Sequence, residues 1–396
     1  MRRLLLVLVF TLAAAALLAA PVLFMSTTSP DGDAATSTHD AAEAVLLEPT
    51  SASEELASPF PAKVRGMTLD AVGRPTDDAL PELAALGVTH LALIPYAFQR
   101  THDDPNLRFN PNPGWYSEST TGARALAAQA DTLGMQLIVK PQLWLGRDEG
   151  EWSATIGFDS EARWQAWEAR YRDYMLYHAG IAQEIDAALF VIGTEMSRAV
   201  RERPAFWRSL ADTLRTVYDG PLTYAANWHD DAEFVTFWDA LDVIGLQAYY
   251  PLAAKDDTTH TVESLCDGWK PHAETIRALS AQWDRPILFT EVGYRSVPYA
   301  AAEPWRWPER GERGVVQPDT TLQRQLYSAF FETWWDDPAV AGAVFWKWKP
   351  PLATRPDWHH EADVDGAPQD GIDLGFTPRG HSAERVLAQW FTRGER

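Results

Sequence analysis

The amino-acid sequence predicts an α/β fold in which one (β/α)8 TIM barrel follows an N-terminal targeting segment and a tether. From residue 63 onward, short apolar runs rich in β-branched residues alternate with amphipathic stretches of helical period. There are eight such runs, and eight strands each followed by a helix is the count of this barrel. A doubly wound sheet is the alternative. The loop after the first strand, Asp70-Ala-Val-Gly-Arg-Pro, lacks the glycine pattern that such a sheet uses to bind phosphate.

The chain before the barrel is predicted to comprise a targeting segment and a linker. Residues 1–25 contain two arginines and then an apolar run over 4–25, which is long for a signal-peptide core and just long enough to span a bilayer. This segment is either an export signal or an uncleaved membrane anchor, so we expect an extracellular or periplasmic protein. Residues 26–62 are rich in Ser, Thr, Ala, Pro and acidic residues, which predicts a disordered linker. The barrel domain then comprises residues 63–396.

The elements of the barrel follow in order along the chain. The predicted strands are Val64–Leu69, His90–Pro95, Gln136–Pro141, Leu189–Gly193, Leu222–Ala226, Val243–Tyr249, Ile287–Glu291 and Ala343–Trp348. The clearest predicted helices are Glu161–Glu184, Pro204–Tyr218, Val262–Trp283, Thr321–Trp335 and His381–Phe391. Each strand is a short apolar run, and each helix has apolar residues at a spacing that covers one face.

Composition narrows the classes of function. The net charge of −21 gives a surface that repels phosphate backbones, so nucleic acid is not an expected partner. The single cysteine, Cys266, rules out an intrachain disulfide and any multi-cysteine metal site. The sequence has no zinc, nucleotide or nucleophile-elbow motif, so neither a metal nor a cofactor is predicted. The 18 tryptophans exceed what burial needs, and they favour a hydroxyl-rich neutral ligand such as a sugar.

Two glutamates stand at the ends of predicted buried strands. Glu195 ends the fourth strand after LFVIGT, and Glu291 ends the seventh after PILFT. Functional groups of a TIM barrel lie at the carboxyl ends of its strands. Two carboxyl groups that face each other across a sugar are the machinery of glycoside hydrolysis. The alternative is a structural role, in which either acid forms a buried ion pair with Lys140 or Arg295.

Other strand ends carry candidate sugar ligands. The predicted substrate-binding residues are Lys140, Gln142, Trp144, Thr194, Asn227, Trp228, Tyr249, Trp346 and Trp348. Tyr249 is expected to hydrogen-bond Glu291 and keep it ionised. Gln142 and Asn227 either bind sugar hydroxyls or cap strand ends. The tryptophans are expected to stack on sugar rings, and the two on the last strand are two residues apart, which predicts that they share a face.

These strand ends resemble the TIM-barrel glycoside hydrolases of clan A, and in particular glycoside hydrolase family 113. The similar stretches, which run in order from residue 63 to about 390, are VKPQLWL, LFVIGTEMS, LTYAANW, LDVIGLQAYYPL, ILFTEVGYRS and AVFWKWKP. The resemblance implies a retaining, β-mannan-cleaving enzyme with Glu195 as acid/base and Glu291 as nucleophile. Two positions depart from it: Thr194 stands where many clan A enzymes have Asn, and Gln142 stands where relatives often have His.

The sequence therefore predicts an exported or membrane-tethered retaining glycoside hydrolase that cleaves a β-linked polysaccharide or oligosaccharide, with β-1,4-mannan as the first candidate. Three alternatives remain at this point. The enzyme hydrolyses a different β-glycoside, or the barrel binds carbohydrate without catalysis and its acids are structural. In the third alternative, Lys140 forms a Schiff base with a carbonyl substrate, as in an aldolase.

Overall fold

The computed structural model describes residues 56–396 except 147–150, 230, 309–314, 355–373 and 394–396. The predicted targeting segment and most of the predicted linker lie outside the described residues. Within them, no helix combines the length and the apolarity that a membrane crossing requires. Phe60 belongs to the predicted linker, yet it is buried, and its ring meets His90 edge-on at 6.1 Å. The end of that segment therefore packs onto the barrel through this side chain.

Eight parallel strands close into a barrel. They are β1 (Val64–Leu69), β2 (His90–Leu93), β5 (Gln136–Val139), β7 (Leu189–Thr194), β8 (Leu222–Ala226), β9 (Ile244–Gln247), β10 (Ile287–Val292) and β11 (Val340–Trp348). Neighbours around the barrel follow the order β1-β11-β10-β9-β8-β7-β5-β2. Most of these strands are buried along their whole length, because helices cover the outside and side chains fill the inside. The predicted TIM barrel is confirmed.

Helices surround the barrel. Their bounds are α1 (Ala79–Ala85), α2 (Thr120–Asp131), α3 (Glu161–Glu184), α4 (Ser197–Glu202), α5 (Pro204–Leu214), α6 (Val262–Trp283), α7 (Thr320–Trp334) and α8 (Ser382–Phe391). The described residues between β8 and β9 form two short 3-10 turns, Ala232–Phe234 and Trp238–Ala240, so one predicted helix is missing there. Phe237 occupies this part of the outer layer instead, and it stacks on Trp207 of α5 at 5.9 Å.

A second, three-stranded sheet extends two of the barrel strands. It consists of β3 (Tyr96–Gln99), β4 (Leu107–Phe109) and β6 (Gln142–Leu145), in the order β4-β3-β6. Pro95 separates β2 from β3, and Pro141 separates β5 from β6. Proline has no N–H to donate to a ladder, so each barrel strand stops there and the chain turns into the new sheet. This sheet is not among the elements predicted from the sequence. It brings Tyr96, Gln142 and Trp144 close together.

Many of the tryptophans are structural. Six of them are fully buried in the layer between barrel and helices, namely Trp167, Trp207, Trp238, Trp269, Trp334 and Trp348. Trp269 and Trp334, for example, meet edge-on at 5.6 Å. The number of tryptophans, which the composition linked to binding of a sugar, is therefore explained in part by the core.

The close approach of Gly193 to Trp207 gives a first prediction. A Cβ atom at Gly193 would lie 2.7 Å from a ring carbon of Trp207, which is fully buried and has no room to move. We expect Gly193→Ala to lower the free energy of unfolding by about 1–3 kcal/mol, as overpacking of a core does. Urea denaturation at neutral pH measures this change.

Gly180→Ala is the matched control, because it adds the same methyl group within α3, where the nearest neighbouring atom would be 4.0 Å away. Alanine is the better helix former, so this substitution should raise the free energy of unfolding by about 0.5–1 kcal/mol. Equal stability of the two variants would contradict the packing argument.

Candidate active site

A cavity of about 870 Å3 opens at the carboxyl ends of the barrel strands. The predicted site residues that line it are Gln142, Trp144, Glu195, Asn227, Trp228, Tyr249, Glu291 and Trp346. Because the strands are parallel and close into a ring, their ends meet at one mouth, which is why residues so far apart in the chain converge. Both predicted catalytic carboxyl groups therefore face the same space.

Glu291 lies near the end of β10, is only 4% exposed, and is surrounded by hydrogen-bond donors. The Tyr249 hydroxyl donates to its Oε2 at 2.6 Å, and the Gln142 Nε2 donates to its Oε1 at 3.1 Å. The Lys140 ammonium also donates to Oε1. Three side chains thus donate hydrogen bonds to this one carboxyl group. The predicted contact between Tyr249 and Glu291 is confirmed.

Tyr249 is itself kept neutral. Burial raises the pKa of its phenol well above the ordinary value, and the Glu291 carboxylate raises it further. The phenol therefore keeps its proton and acts toward Glu291 as a donor.

Lys140 contacts Glu291 without lining the cavity. Its side chain is 1% exposed and does not line the cavity, and its Nζ also donates to the Gln247 Oε1 at 2.9 Å. Burial is the main influence on the pKa of this lysine and lowers it, while the Glu291 carboxylate opposes that shift. Lys140 thus contacts Glu291 and Gln247 instead of lining the cavity, and its predicted role as a sugar ligand stays a prediction.

Glu195 directly follows β7 and has a left-handed backbone, with φ of 52°. That conformation is uncommon for a residue with a Cβ and is often found at functional sites. Its N–H donates to the Ala225 carbonyl at 2.9 Å, and its Oε1 accepts a hydrogen bond from the Asn227 Nδ2 at 2.7 Å. Burial, together with the nearby charge of Glu291, raises the pKa of Glu195 to about 8. Glu195 therefore keeps its proton at neutral pH in the folded protein.

A network of hydrogen bonds at the carboxyl end of β8 holds Asn227 in place. Its N–H donates to the Asp231 Oδ2 at 3.0 Å, and its Oδ1 accepts from the His229 N–H at 2.7 Å, which forms an Asx turn. The Tyr224 hydroxyl donates to the same Asp231 oxygen and accepts from the Met196 N–H. This network connects the residue after Glu195 to the loop that carries Asn227. Asn227 therefore caps the turn after β8 and contacts Glu195, and its predicted contact with sugar hydroxyls stays a prediction.

Three of the predicted tryptophans line the cavity. Trp144 is 60% exposed, and Trp346 is half-buried. Trp228 stacks on Trp305, with 4.9 Å between ring centroids and 20° between planes. Exposed aromatic faces around a polar centre provide apolar surface for the C–H faces of a sugar.

Two further predicted ligands do not reach the cavity. Thr194 is buried and does not line it, because adjacent strand residues alternate in direction and Glu195 takes the inward side. Trp348 is fully buried in the core. The prediction that Trp346 and Trp348 share a face is wrong. Between Met67 and Leu69, two steps along β1 match three along β11, and this bulge ends the alternation.

Sequence reasoning missed several residues that line the cavity. They are Tyr96, Gln247, Trp152, His229, Trp305, Trp307 and Phe376, among others. Most lie in long loops, where no periodicity indicates which side chains point inward. The aromatic density of the segment Pro304-Trp-Arg-Trp-Pro308 is the one signal that would have drawn attention to them. In the part of the chain that the structure describes, no group of three His, Cys, Asp or Glu side chains is arranged to hold a metal.

The raised pKa of Glu195 predicts how stability depends on pH. The folded protein holds this proton up to about pH 8, whereas an unfolded glutamate loses it near 4.5, so the wild type loses stability as pH rises through that window. Gln at this position cannot ionise. We therefore expect the stability of Glu195→Gln relative to wild type to increase from pH 4.5 to 8, by at most about 1.4 kcal/mol per pH unit.

Denaturant unfolding at a series of pH values measures this difference. Glu263→Gln, which alters an exposed glutamate of α6, is the control and should track the wild type. A difference between Glu195→Gln and wild type that stays constant across the range would contradict a protonated Glu195.

Comparisons with known proteins agree with this geometry. A sequence profile of Glycoside Hydrolase Family 113 matches residues 71–365. A family 113 β-mannanase from Alicyclobacillus acidocaldarius, solved in complex with ManMIm, is 26% identical with a TM-score of 0.69, over 85% of this chain and 99% of that one. Another family 113 β-1,4-mannanase is 25% identical with a TM-score of 0.67, over 84% of this chain and 99% of its own.

A β-glucuronidase from Ruminococcus gnavus shares the fold at 12% identity, with a TM-score of 0.54 over 84% of this chain and 50% of the other. No protein of curated function matches the chain. The family profile covers well over half of the sequence. The carboxyl groups of Glu195 and Glu291 line the same cavity at the barrel mouth. The chain therefore belongs to glycoside hydrolase family 113 and is a TIM-barrel glycoside hydrolase.

Proposed function

We propose that this enzyme is a retaining β-mannanase that hydrolyses β-1,4-linked mannan by double displacement, with Glu195 as acid/base and Glu291 as nucleophile. The observation that carries the proposal is the contrast between the two carboxyl groups in one cavity. Glu195 is buried with a pKa raised to about 8, and Glu291 accepts hydrogen bonds from three donors. One group is thus ready to give a proton and the other to attack as an anion.

In the first step, the Glu195 carboxylic acid protonates the glycosidic oxygen as the bond to the anomeric carbon breaks. The Glu291 carboxylate attacks that carbon from the opposite face and forms a covalent glycosyl ester. Asn227 holds the Glu195 carboxyl group through its Oε1, which leaves the other oxygen to face the leaving group. Tyr249 and Gln142 hold the two oxygens of Glu291, so its direction of attack is set before substrate binds.

In the second step, the roles follow from the charges that the first step leaves. Glu195 is now a carboxylate, while Glu291 has lost its negative charge to the ester. Glu195 takes a proton from a water molecule, and the oxygen of that water attacks the anomeric carbon and releases Glu291. Two inversions at one carbon retain its configuration. Lys140 and Tyr249 then stabilise the returning carboxylate of Glu291.

The substrate assignment rests on the lining of the cavity and on the relatives. Exposed tryptophan rings and amide side chains suit a neutral, hydroxyl-rich chain. Two solved structures with 25–26% identity are mannanases of the same family. A different β-glycoside is the alternative substrate, and comparison of mannan with β-glucan, xylan and aryl glycosides distinguishes the two.

The division of labour gives a third prediction. On mannan, we expect both Glu195→Ala and Glu291→Ala to lower kcat by about 10²–10⁴-fold or more. With an activated aryl β-mannoside and azide, Glu195→Ala should recover turnover and yield the β-mannosyl azide, because azide needs no base to attack the ester. Glu291→Ala with azide should yield the α-mannosyl azide, because azide takes the place of the nucleophile. Product configuration by NMR is the measurement.

Glu263→Ala serves as the control, because this exposed residue on α6 lies away from the cavity and should leave turnover as in wild type. Retained configuration in the azide product of Glu291→Ala would reverse the assignment. Absence of activity of the wild type on every β-glycoside would overturn the proposed function.

We also propose that the N-terminal segment exports or anchors the enzyme, which agrees with a polymeric substrate that does not enter cells. What supports this is the apolar run over residues 4–25 after two arginines. If the run is an uncleaved anchor, the enzyme should fractionate with membranes and be released by proteolysis within residues 26–62. Mass spectrometry that finds a new N-terminus roughly 20–30 residues into the chain would show a cleaved signal instead. An intact enzyme in the cytosolic fraction would contradict both.

A further inference from the structure

Glu195 belongs to a closed circuit of hydrogen bonds. The N–H of the next residue, Met196, donates to the Tyr224 hydroxyl at 2.6 Å, and that hydroxyl donates to the Asp231 Oδ2 at 3.0 Å. The same Asp231 oxygen accepts the Asn227 N–H at 3.0 Å. The Asn227 Nδ2 then donates to the Glu195 Oε1 at 2.7 Å. The circuit therefore begins at the backbone beside Glu195 and returns to the carboxyl group of the same residue.

The backbone at Glu195 is held from both sides by β8. Its φ of 52° is uncommon for a residue with a Cβ, and such a conformation persists where the surrounding structure enforces it. The Glu195 N–H donates to the Ala225 carbonyl at 2.9 Å. The peptide group that follows Glu195 donates, through the Met196 N–H, to the hydroxyl of Tyr224. Strand β8 thus fixes the direction in which the Glu195 side chain leaves the backbone.

Packing fixes the position of the Tyr224 hydroxyl. The side chain is fully buried, and its ring meets Trp207 at 5.5 Å. A Cβ atom at Gly193 would lie 3.0 Å from a Tyr224 ring carbon, so this glycine leaves room for the ring beside β7. Burial, together with the Asp231 charge, raises the pKa of Tyr224 well above its ordinary value. The phenol therefore keeps the proton that it donates to Asp231.

Asp231 joins the two halves of the circuit. It is 1% exposed, and one of its oxygens accepts both the Tyr224 hydroxyl and the Asn227 N–H. A shift of this carboxyl group would move the support of the Glu195 backbone and the support of the Glu195 carboxyl group together. Burial and the Glu291 charge are the main causes of the raised pKa of Glu195, and the Asp231 charge adds to them.

We propose that Tyr224 and Asp231 are positioning residues that aim the Glu195 carboxyl group at the leaving oxygen of the substrate. This inference rests on the proposed function. Neither residue lines the cavity that the structure describes, so both act through Glu195 and Asn227 and not on the sugar. Proton transfer to a leaving group requires the acid within hydrogen-bond reach, and a displacement of about 1 Å is enough to slow an enzyme. The alternative is that the circuit only stabilises the fold.

The test uses two substrates with the same sugar part, phenyl β-1,4-mannobioside and 2,4-dinitrophenyl β-1,4-mannobioside. Phenolate needs a proton from Glu195 as it leaves, whereas dinitrophenolate is stable enough to leave without one. We expect Tyr224→Phe and Asp231→Ala each to lower the ratio of kcat/KM on the phenyl substrate to kcat/KM on the dinitrophenyl substrate by about tenfold or more. Both substrates are assayed with one enzyme preparation, so the ratio does not depend on the fraction of folded protein.

Tyr218→Phe is the matched control. The Tyr218 hydroxyl is also buried, and it donates to the Ala187 carbonyl at 2.6 Å, ahead of the amino end of β7. This substitution removes the same group at the opposite end of the strand that leads to Glu195, so its ratio should equal that of wild type.

The outcomes separate the inference from the proposed function. Tyr224→Phe keeps the aromatic ring and its packing, so it gives the answer if Asp231→Ala does not fold. An unchanged ratio, even where both substrates react more slowly, overturns the inference and leaves the proposed function standing. A wild type that hydrolyses neither mannobioside overturns the proposed function itself.

Discussion

The contact between Lys140 and Glu291 crosses the mouth of the barrel. Lys140 follows β5 and Glu291 lies on β10, which are opposite each other in the ring, and both side chains are almost fully buried. A lysine side chain is long enough to reach across the barrel mouth. Because both side chains are almost fully buried, removal of either partner would leave the other as an unpaired buried charge. Tyr249 and Gln142 add donors from β9 and β6. The set of donors around Glu291 therefore depends on closure of the whole barrel.

That fixed charge influences the second carboxyl group. Glu195 is buried in the same cavity, and the negative charge of Glu291 adds to the cost of ionising it. The pKa of Glu195 is raised by its surroundings, while Asn227 and the turn behind it hold its orientation. In this way one barrel-crossing ion pair influences the protonation of Glu195. The buried ion pair that appeared as an alternative to catalysis is present, and it is compatible with the roles proposed for both glutamates.

The small second sheet explains why the site is larger than the barrel mouth. Pro95 and Pro141 end β2 and β5, and the chain continues into β3 and β6 beyond the barrel. Tyr96 at the start of β3 donates to the Oε1 of Gln142, the amide that contacts Glu291. Trp144 of β6 lines both the cavity at the barrel mouth and a neighbouring cavity of about 600 Å3. The same two prolines that interrupt the ladder therefore add the second sheet to the wall of the cavity that Glu195 and Glu291 share.

The sequence by itself determined the eight barrel strands, both glutamates and the Tyr249–Glu291 contact, because short apolar runs and the polar residues that end them are local patterns. Only the tertiary structure decided that Lys140 contacts Glu291, since that contact joins residues 151 positions apart across a closed ring. Strand pairing also placed Trp348 in the core and not in the cavity. A bulge between β11 and β1 interrupts the alternation of inward and outward side chains that the sequence pattern predicts. Loop aromatics such as Trp305 and the neighbouring cavity followed from packing, which has no periodic signature along the chain.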